Sequence, residues 1–410
     1  MLSLKKSCLS AAFRRLVWSN LAAQLAEQIG LTAAPLMAVL LFDASAAETG
    51  SLQTIQTLPF LLLALPAGIL ADRVSRCQMM VRAETLRALS LFCILLLAIS
   101  GLLSLPMFAA LGFIGVASTV VYNVAAPSLV LALVSREVLA VANGRIELAR
   151  SSAYAAGPAM AGALIGWGGA ASTYAVATLI SIFAVVQLTR LAEPPRAVSV
   201  RQHVLHDLRE GASFVLTNPL LRQTLLTAVV FNISWFILQA IYVFYAIHTL
   251  GFTASTVGIT LGIYGVGMTL GAFIARHVAK WLPFGAMLVL GPLSALFGAL
   301  IMALTILVPS FILAELSFFF FGVGPIIWTI TSTTLRQAIT PSNMLGRASA
   351  IAMMSTFGSR PIGAAIGTFI GSIYGTKACI VVSTVGFFAQ CVIIGVSSVS
   401  RLRKLPEMVV

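Results

Sequence analysis

Gly68-Ile-Leu-Ala-Asp-Arg-Val-Ser-Arg76 stands between two long apolar runs and places one carboxylate and two guanidiniums where the chain turns back into hydrocarbon. Laid over itself at an offset of 203 (271 − 68), the chain meets Gly271-Ala-Phe-Ile-Ala-Arg-His-Val-Ala279, which keeps the glycine and the first arginine and lacks the acid. The same offset (361 − 158) aligns Gly157-Pro158 with Arg360-Pro361. Two versions of one unit in a membrane protein are the expectation.

Composition sets the class. The 410 residues are 59% hydrophobic and only 9% charged, against about 25% charged in soluble domains. The expected fold is an all-α polytopic membrane protein with twelve transmembrane helices of about 20 residues each. Turn and charge punctuation puts them near 16–42, 51–71, 82–104, 107–133, 146–167, 172–191, 221–248, 255–279, 284–307, 311–334, 348–373 and 376–399. Residues 1–191 and 221–410 form two pseudo-symmetric six-helix halves, joined by a cytoplasmic linker at 192–220 that contains the polar, helix-compatible stretch Arg201 to Glu210.

The net charge of +13 does not indicate nucleic acid. With the N-terminus inside, Lys377 alone among the lysines and arginines falls on the outer side, whereas Lys5, Lys6, Arg14, Arg15, Arg73, Arg76, Arg136, Arg196, Arg201, Arg276, Lys280, Arg336, Arg347, Arg401, Arg403 and Lys404 fall inside. That asymmetry orients both termini to the cytoplasm. Residues 2–16 do not read as a signal peptide, because basic residues interrupt any apolar core. The five cysteines and four histidines show no metal-ligand spacing, and no phosphate-binding loop or nucleophile motif is present. Neither an enzyme nor a cofactor is expected.

The segment from Gly68 to Arg76 resembles the loop signature of the major facilitator superfamily, which lies between spans two and three with a weaker copy between spans eight and nine. Asn143-Gly144, Gly157-Pro158 with Gly162, Gly346-Arg347 and Pro361-Ile-Gly363 are similar to the branch that exports macrolides, siderophores and related compounds by drug:proton antiport. The resemblance implies the bacterial cytoplasmic membrane, a small-molecule substrate, protons as coupling ions, the lipid bilayer as surroundings and function as a monomer. It also implies that spans two, five, eight and eleven line the junction between halves. In that family the acid at Asp72 locks the cytoplasmic side against the start of span eleven, around Gly346-Arg347.

The residues give physical reasons for parts of this reading. Gly68, without a side chain, admits a neighbouring helix, and Asp72 at a helix end can accept from a helix N-terminus or an arginine. Arg73 and Arg76 read equally as topology signals. Gly157-Pro158 removes a backbone donor in mid-span and bends it. Glycines at small-xxx-small spacing, at 258 and 262, 267 and 271, and 363, 367 and 371, mark close-contact faces.

Ionisable groups inside spans are costly unless paired or hydrated. Glu27, about 11 residues and roughly 16 Å into the first span, is the candidate proton-exchanging group, and Arg360 in span eleven its counterweight. Glu147 and Arg150, like Glu84 and Arg87, are spaced i,i+3 and can satisfy one another. Span four, Phe108 to Asn123, contains no basic residue, so the arginine-based proton relay of many relatives does not transfer. Cavity walls are expected from Asn20, Gln24, Tyr122, Asn123, Asn232, Trp235, Gln239, Tyr242 and Tyr264, a mixture suited to an amphiphilic molecule. The expected activity is proton-coupled export by alternating access. An importer or lipid flippase on the same fold, and a non-transporting receptor or assembly factor, are the alternatives.

Overall fold

The computed structural model describes residues 10–71, 74–134, 139–191, 204–341 and 344–406. Among them the chain forms eleven α-helices and no strand: α1 (Ala11–Phe42), α2 (Ala46–Ala71), α3 (Arg76–Ile99), α4 (Leu105–Leu133), α5 (Leu139–Thr189), α6 (Val204–Thr217), α7 (Pro219–His248), α8 (Ala254–Val278), α9 (Phe284–Leu304), α10 (Phe311–Ile339) and α11 (Leu345–Gly395). Several starts are capped by side chains that accept otherwise unused backbone N–H groups. Ser10 accepts from Phe13, Ser75 from Gln78, and Asn218 from Leu220 and Leu221 with Pro219 in the first turn. The exit from α1 is Asp43 at φ 49°, ψ 37°, a left-handed stop that asparagine and aspartate tolerate better than branched residues.

Among the described residues eight helices, α1, α4, α5 and α7 to α11, are long and apolar enough to cross a membrane. Two of them, α5 and α11, have 51 residues, about 76 Å at helical rise, more than twice a hydrocarbon core of about 30 Å. Each breaks once, at Gly169 (φ 67°) and Gly375 (φ 80°), in backbone conformations that only glycine adopts freely. The sequence places a boundary at both points, between spans five and six and between eleven and twelve. The two breaks lie 206 residues apart (375 − 169), close to the repeat offset. Helices α2 and α3, of 26 and 24 residues, fall outside the eight. Arg76, Arg82, Glu84 and Arg87 dilute the apolarity of α3.

Packing repeats as the sequence does. Helix α1 lies along α5 and α7 along α11, while α5 crosses α8 and α2 crosses α11. The glycine stripes make these approaches possible. Gly363, Gly367 and Gly371 sit on Ile233, Ile237 and Ile241 of α7, so the two helices run together in steps of four. Helix α8 uses its glycines in two directions: a Cβ at Gly258 would meet Pro158 O at 2.6 Å and Gly162 Cα at 2.8 Å, whereas one at Gly271 would meet Val323 O of α10.

A Cβ on Gly68 would meet no described atom within 4 Å, whereas its counterpart Gly271 is tightly covered. Asp72 and Arg73 lie outside the described residues. Arg76 opens α3 and is partly buried.

The helix expected in the linker is α6. Its apolar side joins Val215 to a cluster with Leu221, Leu335, Ala348 and Ile394, so it docks on the cytoplasm-assigned ends of α7, α10 and α11. Gly211 lets it come close, since a Cβ would lie 2.9 Å from Arg347 Cβ. Arg347 Nη1 donates to Glu210 Oε2 at 2.6 Å.

Candidate functional site

A cavity of about 460 Å³ lies at the centre of the bundle, with walls from α1, α2, α5, α7, α8, α9, α10 and α11. Glu27, Arg360, Asn232, Gln239, Tyr264, Arg150 and Pro158 all line it. The structure thus brings together residues from both ends of the sequence. Glu27 is buried on α1, and its Oε2 accepts no hydrogen bond. Arg360 projects from α11 into a cage of three phenylalanines, its guanidinium carbon 4.3 Å from the Phe357 ring centroid, 4.8 Å from Phe60 and 5.5 Å from Phe236. Each ring face attracts the cation. Its Nε has no hydrogen-bond partner. Glu27 lies within the electrostatic reach of Arg360, Arg87 and Arg150.

An aromatic ladder also lines the cavity. Tyr264 stacks on Trp235 at 5.2 Å, Trp235 lies parallel to Phe231 at 6.4 Å, and Tyr154 approaches Tyr264 at 6.5 Å. Arg150 stands 5.7 Å over Tyr154 and holds Glu147 through two hydrogen bonds of 3.0 and 2.6 Å. That pair, at i,i+3 spacing on one helix face, is half exposed. Asn232 turns its amide back to Ala228 O of its own helix at 2.9 Å.

Other expected wall residues lie elsewhere. Gln24 Nε2 donates to Asn123 Oδ1 at 3.1 Å, tying α1 to α4, and neither residue lines the cavity. Tyr122 pairs with Ser19 at 3.3 Å and Tyr242 with Thr260 at 2.6 Å, both fully buried helix-to-helix contacts. Asn20 is buried near this packing and is likewise absent from the wall. Gly157 and Pro158 are buried where α5 meets α1, and a Cβ on Gly157 would collide with Gln28 Cβ.

Several wall residues escaped sequence reasoning. Trp328 Nε1 and Gln390 Oε1 are buried polar atoms without partners, and both residues face the cavity. Phe60, Phe236 and Phe357 were part of an apolar background until the fold gathered them around one arginine. Only the spacing of Phe357 to Arg360, three residues apart on one helix face, was a local signal. Among the described residues no group of His, Cys, Asp and Glu is placed to hold a metal ion.

The family model of the Major Facilitator Superfamily matches residues 7–364, and the chain belongs to that family of membrane transporters. It is similar to the enterobactin exporter EntS of Escherichia coli O1:K1, 26% identical over 307 residues that cover 73% of this chain and 71% of the exporter. An uncharacterized MFS-type transporter, y4rN, of Sinorhizobium fredii is 25% identical over 51% of this chain and 52% of its own length. The fold is that of the nucleoside transporter NupG, with a TM-score of 0.74 at 12% identity over 94% of this chain and 98% of that one.

Proposed function

We propose that the protein is a twelve-span secondary transporter of a bacterial inner membrane that exports an amphiphilic small molecule in exchange for protons. The observation that carries this reading is the presence of Glu27 and Arg360 on the wall of one central cavity, a buried acid and a caged cation that packing alone does not require. Glu27 is the proton-exchanging group. Arg360 sets the field of the cavity or receives an acidic group of the substrate, while the stacked Tyr264 and Trp235 accept its apolar body. Likeness to an enterobactin exporter supports export over import and a siderophore-like or drug-like metabolite as cargo.

The halves, residues 1–191 and 221–410, rock about this cavity as a monomer, with both termini cytoplasmic. Gly50 against Thr368 and Gly162 against Gly258 close the end of the bundle far from α6, so the cavity exchanges with the α6 side in this conformation. Asp72 with Arg73, Arg76 and Arg347 act as the latch of that side when the protein opens outward.

The test is flux in reconstituted vesicles under an imposed pH gradient, with the substrate found by comparing metabolites retained in cells lacking the protein. Export that the gradient drives in the parent and no longer drives in Glu27→Gln supports the reading. Equal flux with and without the gradient in the parent overturns it.

A further inference from the structure

The charged residues on the wall of the central cavity are Glu27, Arg150 and Arg360. Arg150 is already matched, because it donates both of its hydrogen bonds to Glu147. Glu27 and Arg360 are not. Neither forms an ion pair or a hydrogen bond with any described residue, and the partners of the Arg360 charge are three ring faces. Arg360 is nonetheless partly exposed in mid-span, where it lines the cavity. With Glu27 ionised, the two acids Glu27 and Glu147 balance the two cations Arg150 and Arg360.

A neutral wall with one free acid and one free cation sorts cargo by what each molecule leaves unpaired. A cation answers Glu27 but displaces the cavity water that solvates Arg360, and an anion does the reverse. A charge stripped of water without a counter-charge is costly. A cargo with one charge of each sign answers both. Ring surface adds to its binding, because Tyr264 stacks on Trp235 at 5.2 Å and Trp235 lies parallel to Phe231 at 6.4 Å in the same cavity.

We propose that the cargo is a zwitterion with an aromatic body, whose ammonium group binds the Glu27 carboxylate and whose acidic group binds the Arg360 guanidinium. This rests on Glu27 being the proton-exchanging group, and it says what takes the place of the proton. The ammonium group requires Glu27 ionised, so proton and cargo exclude one another at that carboxyl. Arg360 stays charged throughout and offers the acid a planar fork. The other charges around Glu27 are Arg87 and Glu84 of α3 and Arg150 of α5. They belong to pairs already made, Arg87 with Glu84 and Arg150 with Glu147.

The experiment measures binding by calorimetry to the full chain in lipid nanodiscs, with no gradient imposed. The probes are N-(naphthylmethyl) ω-amino acids with short, medium and long methylene chains, which vary the separation of ammonium and carboxylate. Each is compared with its methyl ester, a cation, and with its N-acetyl derivative, an anion. At the best chain length the zwitterion is expected to bind at least about tenfold tighter than either, the equivalent of one charge-assisted hydrogen bond. Glu27→Gln is expected to abolish the preference over the anion and keep that over the ester, and Arg360→Met to do the opposite. Protons released on binding, counted in weakly buffered solution over a series of pH values, are expected for the zwitterion in the parent and not in Glu27→Gln. The proposal is overturned if no chain length gives the zwitterion an advantage in the parent, a comparison that needs no variant to fold. It is overturned too if both variants keep the parental preferences, or if binding to the parent releases no proton at any pH. These readouts stand apart from flux. Export indifferent to the pH gradient would refute proton exchange and leave the charge preference in place, whereas gradient-driven export without that preference would refute the zwitterion alone.

Discussion

The guanidinium carbon of Arg360 stands 4.3 Å from the ring centroid of Phe357, one turn earlier on α11. A cation held by aromatic faces is stabilised by about 0.5–2 kcal/mol, less than its desolvation costs. Its Nε remains unbonded. Arg360→Met, of similar volume and without the buried donor, is therefore expected to keep or raise the melting temperature in detergent while export is lost. A lower melting temperature would make the arginine structural. Arg360→Lys keeps charge and loses the planar fork, so coupling to the pH gradient is expected to persist, with weaker affinity only for substrates that bear an acid.

Glu27→Gln preserves shape and hydrogen bonding and removes titration. Gradient-driven flux in vesicles is expected to collapse, while substrate binding changes by less than about tenfold, the equivalent of one hydrogen bond. Unchanged dependence of flux on pH in that variant would remove Glu27 from the coupling step.

Helix α6 is tethered to α11 by Glu210 and Arg347, 46% and 31% exposed. Such a pair is worth about 0–1 kcal/mol, so Glu210→Gln is expected to leave thermal stability nearly unchanged. Glu210→Lys replaces attraction by repulsion. Labelling of a cysteine placed at the buried Val215 is expected to rise in that variant, and to rise less at about 1 M salt, where the screening length is about 3 Å. Equal labelling at both salt concentrations would show that the apolar face alone docks α6.

The contact between Gly162 and Gly258 leaves no room for a methyl group, because the three nearest obstacles to a Cβ on Gly258 are all backbone atoms. Gly258→Ala is expected to push α5 and α8 apart at a cost of about 1–3 kcal/mol, enough to move a two-state equilibrium by roughly 5–150-fold. Ser255 Oγ donates to Gly162 O at 3.3 Å in the same seam. A Ser255→Cys probe is expected to label faster in the Gly258→Ala background, and unchanged labelling would mean that the seam does not control access.

How far the site was legible follows the range of the signal. Glu27 and Arg360 were visible because a charge in an apolar run is conspicuous without a partner. Gln24 and Asn123 were equally polar and equally placed along their helices, yet they satisfy each other across α1 and α4. Facing direction separates the two cases. In the membrane, helices are apolar on nearly all sides, so no amphipathic stripe says which face of α1 or α4 looks inward. Gly68 is of the same kind: a small residue permits an approach, and whether a neighbour takes it depends on the conformation of the whole bundle.

By itself the sequence determined the class, the approximate limits of the long helices, the repeat and the positions of the two breaks. These follow from local quantities: the length of an apolar run against bilayer thickness, charge beside it, and glycine where the backbone must turn. Only the tertiary structure decided that three phenylalanines from α2, α7 and α11 cage Arg360, that α6 rides on the start of α11, and that Glu27 and Arg360 share the wall of one cavity. Those relationships join residues hundreds of positions apart. Helix rotation and crossing set them, and both are fixed by packing between helices rather than by the order of residues along any one of them.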